Sequence, residues 1–146
     1  MANKPSLKVY GSFATVQAAA STGAGAFSAG SRTTIAAALT TGNEADYAKL
    51  DFLLTVSAGT PTENALVHVY RRPKADGSNE APAPSGSYKH ERVGSFVLDN
   101  TSSSYFYLFG VTNEDKNATY YVFNDDPSQT LTLALAARGS ALDTPA

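Results

Sequence analysis

The chain has two histidines, His68 and His90, which are the side chains best suited to acid–base chemistry near neutral pH. A serine nucleophile would need such a base within hydrogen-bonding reach, held in place by a third group. His68 alternates with apolar residues and His90 follows a long loop, so we interpret both as structural or surface residues. The sequence contains no cysteine and no G-x-S-x-G, phosphate-loop, dinucleotide-binding or H-E-x-x-H pattern. These observations predict a protein that is not an enzyme and uses no cofactor.

Three oxygen-rich segments resemble calcium ligands in residue type: "DGSNE" at 76–80, "NEDKN" at 113–117 and "NDD" at 124–126. None has the spacing of an EF-hand loop. Asn and Asp are also common in hairpin turns, because their side chains bond to their own backbone. We therefore interpret the three segments as turns rather than metal sites.

Basic side chains gather around the segment 73–88, where the acidic Glu80 and Glu91 dilute them; they are Arg71, Arg72, Lys74, Lys89 and Arg92. The net charge is -2, which gives little attraction for nucleic acid or an anionic membrane. The sequence predicts neither as a partner. The cluster could instead pair with acidic groups on a neighbouring protein.

Tyrosines offer a different binding chemistry, because their rings can stack on sugars. Tyr88, Tyr120 and Tyr121 are candidates if the fold exposes them. The sequence alone does not distinguish a sugar site from aromatic residues at a protein interface.

The elements that would carry these residues are short strands. In "KLDFLLTVS" (49–57) apolar and polar residues alternate, which is typical of a half-buried strand. Similar runs follow at 65–72, 92–99, 105–111, 118–123 and 130–137, separated by turn-forming clusters. The pattern predicts an all-β fold for residues 47–146, an antiparallel β-sandwich of jelly-roll type, with an immunoglobulin-like sandwich as the alternative.

Residues 1–46 differ in composition, since they are rich in Ala, Ser, Thr and Gly with few large apolar residues. We expect either loose edge strands or an extended N-terminal arm that becomes ordered on a partner.

The run "YFYLFGV" (105–111) is apolar on both faces, with Tyr105, Tyr107 and Phe109 on one and Phe106 and Leu108 on the other. A half-exposed sheet should show only one apolar face. The strand is therefore either central, with its second face covered by the N-terminal segment, or part of a subunit interface.

The segment 73–88 is a long loop with three prolines and two glycines between two strand-like runs. Loops of this length are usually functional or disordered. Prolines restrict the unbound chain, so the loop would lose less entropy on docking to a partner. A surface excursion with no partner is the alternative.

The region 43–111 resembles a group of small structural proteins of tailed bacteriophages. The shared elements are Tyr47 leading into Asp51-Phe52, then Arg72-Pro73, "DGSN" at 76–79 and "VGSF" at 93–96. The resemblance implies a virion protein, plausibly a capsid decoration (cement) protein that bridges major capsid subunits, with no catalytic residues. A tail or fibre component and a surface carbohydrate-binding module are the alternatives.

On this interpretation the partner is the major capsid protein, the chain is a homo-oligomer (a trimer, by analogy with shell symmetry), and its location is the capsid surface. The residues expected to bind partners are Phe13, Phe27, Arg32, Arg71, Arg72, Lys74, Asp76, Asn79, Pro82, Pro84, Tyr88, Tyr105 and Tyr107.

Overall fold

A computed structural model describes residues 7–89 and 91–143 of the chain. It is nearly all β. Its nine strands are β1 (Leu7–Tyr10), β2 (Ala14–Thr22), β3 (Ala26–Phe27), β4 (Lys49–Ala58), β5 (Leu66–Arg72), β6 (Arg92–Val97), β7 (Ser104–Thr112), β8 (Thr119–Asp125) and β9 (Leu131–Asp143). One helical turn, α1 (Ile35–Ala38), and a 3₁₀ turn at Glu44–Asp46 lie between β3 and β4.

The strands form two antiparallel sheets. The first sheet has the order β1-β9-β4-β7, and β2 pairs with the other half of β9. The second sheet has the order β3-β8-β5-β6. The prediction of an all-β, antiparallel fold is confirmed, and most strands lie within a few residues of the runs expected from alternation.

The core lies between the two sheets and follows the predicted alternation. The inward residues of β4 and β9 are fully buried: Leu50, Phe52, Leu54, Val56, Leu131, Leu133 and Leu135. Val67, Val69 and Tyr120 of the second sheet pack against them in a single cluster. The rings of Phe52 and Tyr120 lie 4.8 Å apart at their centroids and join the two sheets. Because strand side chains alternate between faces, the period of two in the sequence was enough to predict these core positions.

The described part of the N-terminal region belongs to the sheets. β1 and β2 pair with β9, and β3 pairs with β8. Val16 and Ile35 are fully buried in the core, although the few large apolar residues of 1–46 led us to expect loose edge strands or an arm there. Ile35 begins α1, which the Thr34 side chain caps by accepting a hydrogen bond from the Ala37 N–H. No extended arm is seen in residues 7–46; residues 1–6 lie outside the described residues.

β7 lies at the end of the first sheet, where among the described residues it pairs only with β4. The interpretation of this aromatic run as a central strand is therefore wrong. Position in a sheet depends on strands distant in sequence, so the composition of one strand does not predict it.

Candidate functional site

The outer face of the first sheet carries a row of exposed aromatic side chains. Tyr105, Tyr107 and Phe109 are 66%, 54% and 60% exposed. They alternate along β7 with Phe106 and Leu108, which pack on the core. Alternation thus places three large rings in water, where monomeric proteins rarely leave contiguous apolar surface.

A fourth ring reaches this row from the turn between β1 and β2. The ring of Phe13 lies 6.0 Å from that of Tyr107, and the parallel rings of Tyr107 and Phe109 lie 5.7 Å apart. We call Phe13, Tyr105, Tyr107 and Phe109 the aromatic face. The structure therefore brings together three of the residues predicted to bind a partner, Phe13, Tyr105 and Tyr107. The N-terminal segment touches Tyr107 through Phe13 but leaves the row exposed, and the alternative of a subunit interface stays a prediction.

An ion pair lies under one end of the aromatic face. Asp51 on β4 is fully buried, and one of its carboxylate oxygens lies 2.9 Å from Nε of Arg138 on β9. The other oxygen accepts a hydrogen bond from the Gly110 N–H at 3.0 Å. The sequence analysis named Asp51 only as part of the Asp51-Phe52 element and on the polar side of its strand, and it did not predict the pairing with Arg138.

The guanidinium group of Arg138 also lies over two aromatic rings. Its central carbon is 4.2 Å from the centroid of Tyr10 and 4.8 Å from that of Phe13. Such cation–π contacts favour a fixed geometry. Asp51 thus holds Arg138, and Arg138 holds Phe13 against the sheet, so that the aromatic face is a preorganised surface.

The outer face of the second sheet is aromatic too, but it is covered. Tyr70, Tyr121 and Phe123 are at least nine-tenths buried, and Phe27 packs against all three with ring centroids 4.9–6.4 Å away. Phe27 is one of the predicted partner-binding residues, and here its contacts are within the chain.

Cationic side chains add to this cover. The guanidinium carbon of Arg32 lies 3.6 Å from the centroid of the Tyr121 ring, and Nζ of Lys89 lies 4.3 Å from that of Phe123. Arg32, predicted to bind a partner, also donates a hydrogen bond to the Ser28 carbonyl. The second sheet is therefore closed on its outer side by the chain itself.

The loop 73–88 contributes to this closure through Arg72, where β5 ends. Arg72 donates from Nε to the Ala81 carbonyl at 2.7 Å, pairs with Glu80 at 2.9 Å and donates to the Tyr121 hydroxyl at 3.2 Å. At the start of the loop the Lys74 N–H donates to Asp115 at 2.5 Å. The loop is thus fastened at Arg72 and Lys74 to its own domain.

The tip of the loop is a tight turn organised by Asp76. Its carboxylate accepts hydrogen bonds from the backbone N–H groups of Asn79 and Ser78, at 2.7 and 2.8 Å, and from the Asn79 side chain at 2.6 Å. These bonds lower the pKa of Asp76 to about 2. Gly77 has φ of +76°, a conformation that glycine adopts without strain. Asp76 and Asn79 are exposed, and their polar groups bond to each other.

The other predicted residues around the loop lie in different environments. Pro84 is buried and Pro82 is exposed, while Tyr88 is half-buried and exchanges backbone hydrogen bonds with Ser85. Arg71 pairs with Glu91 at 2.7 Å and with Glu114 at 3.0 Å. The charges of Arg71 and Arg72, expected to meet acidic groups of a neighbour, are therefore balanced within the chain.

A cleft of about 350 Å³ lies between the edge strands β6 and β7. Val93, Leu108 and Phe109 give it apolar walls, and Arg71 and Glu114 line it as well. No sequence signal pointed to it, because its two walls come from different sheets.

A Ser–His–Asp arrangement occurs across the second sheet, which the sequence did not reveal. His68 Nδ1 lies 2.6 Å from Ser95 Oγ, and Nε2 lies 3.0 Å from Asp125. In a serine-protease triad the serine contacts Nε2 and the aspartate contacts Nδ1, the reverse of what is found here. The His68 ring is also stacked on Phe123. The arrangement is that of a cross-strand hydrogen-bond ladder, in keeping with a structural His68; His90 lies outside the described residues.

Two of the three tyrosines proposed for sugar stacking are buried, whereas the third, Tyr88, is half-buried. Tyr120 is fully buried and Tyr121 is 9% exposed. Burial also raises the pKa of Tyr120 to about 12. The most exposed tyrosines are instead Tyr105, Tyr107 and Tyr10.

Two general features complete the description. In residues 7–89 and 91–143 no three His, Asp or Glu side chains are grouped so that they could hold a metal ion. Over the same part of the chain, no helix has the length and apolarity to cross a membrane.

Comparison of the chain with protein-family models, with curated proteins and with solved structures finds no match. The site geometry is therefore the basis for a functional proposal, together with the motif resemblance described above.

Proposed function

We propose that the chain is a structural protein of a bacteriophage virion, located on the capsid surface, which stabilises the shell by bridging major capsid subunits. The aromatic face supports this proposal, because contiguous exposed aromatic surface marks a site of protein association, which a decoration protein needs for assembly on a shell. The net charge is only -2 and charged residues make up 16% of the chain, so its surface suits close contact with another protein.

The strand order supports a jelly-roll assignment. If β1 and β2, which both pair with β9, are counted as one interrupted strand, each sheet has four strands. The resulting order, in which every successive pair except β5 and β6 crosses between the sheets, fits the double Greek key of jelly rolls. Viral capsid proteins and lectins share this architecture, which makes it compatible with a virion role.

The loop tip at 76–79 supplies a rigid, polar projection. Its carboxylate-centred turn is formed before any partner is met, so little conformational entropy would be lost on docking. We propose that this tip contacts the capsid, in place of the charge pairing of Arg71 and Arg72 expected from the sequence.

Binding to empty heads tests the proposal. Heads of the bacteriophage that encodes the chain, assembled without it, are mixed with the purified chain and sedimented. We expect saturable binding and a higher temperature of head disruption. The variant Asp76→Ala/Asn79→Ala should bind about tenfold more weakly, whereas Thr60→Ala/Glu63→Ala, in another exposed turn, should bind normally. Lack of binding, or location of the chain on tails, would overturn the proposal.

A carbohydrate-binding function is the second candidate, favoured by the exposed rings of Tyr105 and Tyr107. It predicts signal on a glycan array that is lost in Tyr105→Ala. If the chain binds heads but gives no signal on the array, the carbohydrate-binding function is excluded and the capsid function is retained.

A further inference from the structure

The free edge of β7 lacks most of the features that protect edge strands. Its sequence, SYFYLFGVT, contains no charged residue and no proline. Natural proteins usually place a lysine, a proline or a bulge on such an edge, because its unpaired N–H and C=O groups can pair with another chain. The only such feature here is the bend at Gly110, where φ is +71° and the register with β4 shifts. Within the part of the chain that the structure describes, residues 104–109 thus form a regular edge without a paired strand, beside the cleft that separates β7 from β6.

The charge distribution around this edge favours a second copy of the chain as the occupant. In a two-fold contact the same surface meets itself, so any unpaired charge near the axis would face a like charge. The two charged residues beneath the aromatic face, Asp51 and Arg138, neutralise each other at 2.9 Å. A strongly acidic or basic partner would find no complementary group on β7.

We infer that β7 pairs antiparallel with β7 of a second copy about a two-fold axis at Tyr107, which makes the first sheets of both copies continuous. In this register Tyr107 faces Tyr107 of the second copy, and Tyr105 faces Phe109. Directly opposed residues of antiparallel strands have Cβ atoms about 4.5–5.5 Å apart, a distance at which aromatic pairs stabilise a sheet. Six rings would form one cluster across the junction.

The available area approaches that of a specific contact. Aromatic side chains present about 150–250 Å² each when fully exposed. At exposures of 54–66% the three rings of β7 therefore offer about 250–500 Å² per copy, or about 500–1,000 Å² for two copies. The backbone edge adds to this total, which approaches the roughly 1,200 Å² at the lower end of stable interfaces.

The inference extends the proposed function, on which its biological meaning rests. A two-fold dimer carries two loop tips, so that each dimer could contact two capsid subunits and gain avidity. A dimer also replaces the trimer expected from shell symmetry. Its test needs only the isolated chain, so failure of dimerisation and failure of capsid binding are separate results.

The mass of the full chain in solution is the first measurement. By light scattering or sedimentation we expect about twice the 15.2 kDa of one chain. Tyr107→Lys places two like charges on the axis and should give a monomer with an unchanged circular dichroism spectrum. Val97→Lys is the matched control, since Val97 is 59% exposed on β6, the edge of the other sheet, and this variant should remain dimeric.

Two further experiments test the register. Mixing Tyr107→Lys with Tyr107→Glu should restore dimers, because opposite charges then meet at the axis. The natural chain has no cysteine, so Tyr107→Cys should form a disulfide-linked dimer under mild oxidation, whereas Val97→Cys should not. A monomeric or trimeric natural chain, a dimer that survives Tyr107→Lys, or equal crosslinking of both cysteine variants would each overturn the inference.

Discussion

At the scale of single residues, the best-defined interaction is the ion pair of Asp51 and Arg138. The carboxylate of Asp51 is fully buried, and the Arg138 side chain is 21% exposed. A buried charge that loses its partner keeps its desolvation cost, so removal of one member destabilises more than replacement of both. The pair also fixes Arg138 over Phe13 and thus supports the aromatic face.

We predict that Asp51→Asn lowers the free energy of unfolding by about 3 kcal/mol, because the amide leaves the Arg138 charge without its counterion. Urea denaturation measures the change. Arg138→Met combined with Asp51→Asn should cost less than the sum of the single variants. Additive costs would show that the two groups are not coupled.

A second prediction at this scale concerns the loop-tip carboxyl. The pKa of Asp76 is about 2, below its ordinary 3.8, because three hydrogen bonds stabilise the carboxylate in the folded chain. The stabilisation of the turn should therefore be complete above about pH 4 and lost as the pH falls toward 2. Carbon-13 NMR of the carboxyl group gives the titration midpoint, which Asn79→Ala should raise. A midpoint near 3.8 in the natural chain would contradict the turn geometry.

At the scale of elements, β4 shows how alternation places consecutive residues on opposite faces of the sheet, with different burial. Leu54 points into the core and is fully buried, while Leu53 faces outward and is only half-buried, opposite Tyr107 of β7. The register is well specified here, because a shift by one residue would expose the whole inward set.

Leu54→Ala should lower the free energy of unfolding by about 3 kcal/mol, through lost burial and a new cavity. Leu53→Ala, on the same strand, should cost only about 1 kcal/mol. Equal costs in denaturant titrations would mean that the register of β4 differs from that described.

At the scale of the whole molecule, the outer faces of the two sheets differ in whether other parts of the chain cover them. The second sheet is aromatic on its outside and is covered by Phe27, by cationic side chains and by the loop anchored at Arg72. The first sheet is aromatic on its outside and left open. One face is thus completed within the chain, and the other is available for association.

Arg72→Ala should loosen the cover of the second sheet. Loss of the contacts to Ala81, Glu80 and Tyr121 is expected to cost about 1–2 kcal/mol and to speed amide exchange across residues 75–88. Lys74→Ala is the control, because Lys74 anchors the loop through its backbone N–H. Unchanged exchange in the Arg72 variant would show that other contacts hold the loop.

The sequence by itself determined the strand runs, the antiparallel all-β fold and the inward sets of β4 and β9, because alternation is a local property of the chain. It also showed that Tyr105 and Tyr107 lie on a second apolar face of their strand. The tertiary structure alone decided that β7 is an edge strand, that Val16 and Ile35 enter the core, and that Tyr120 and Tyr121 are buried. These outcomes depend on strands distant in sequence: β9 pairs with β2, and the loop after β5 folds back on its own sheet. Whether an aromatic face is covered or exposed follows from such non-local pairings, which local composition does not encode.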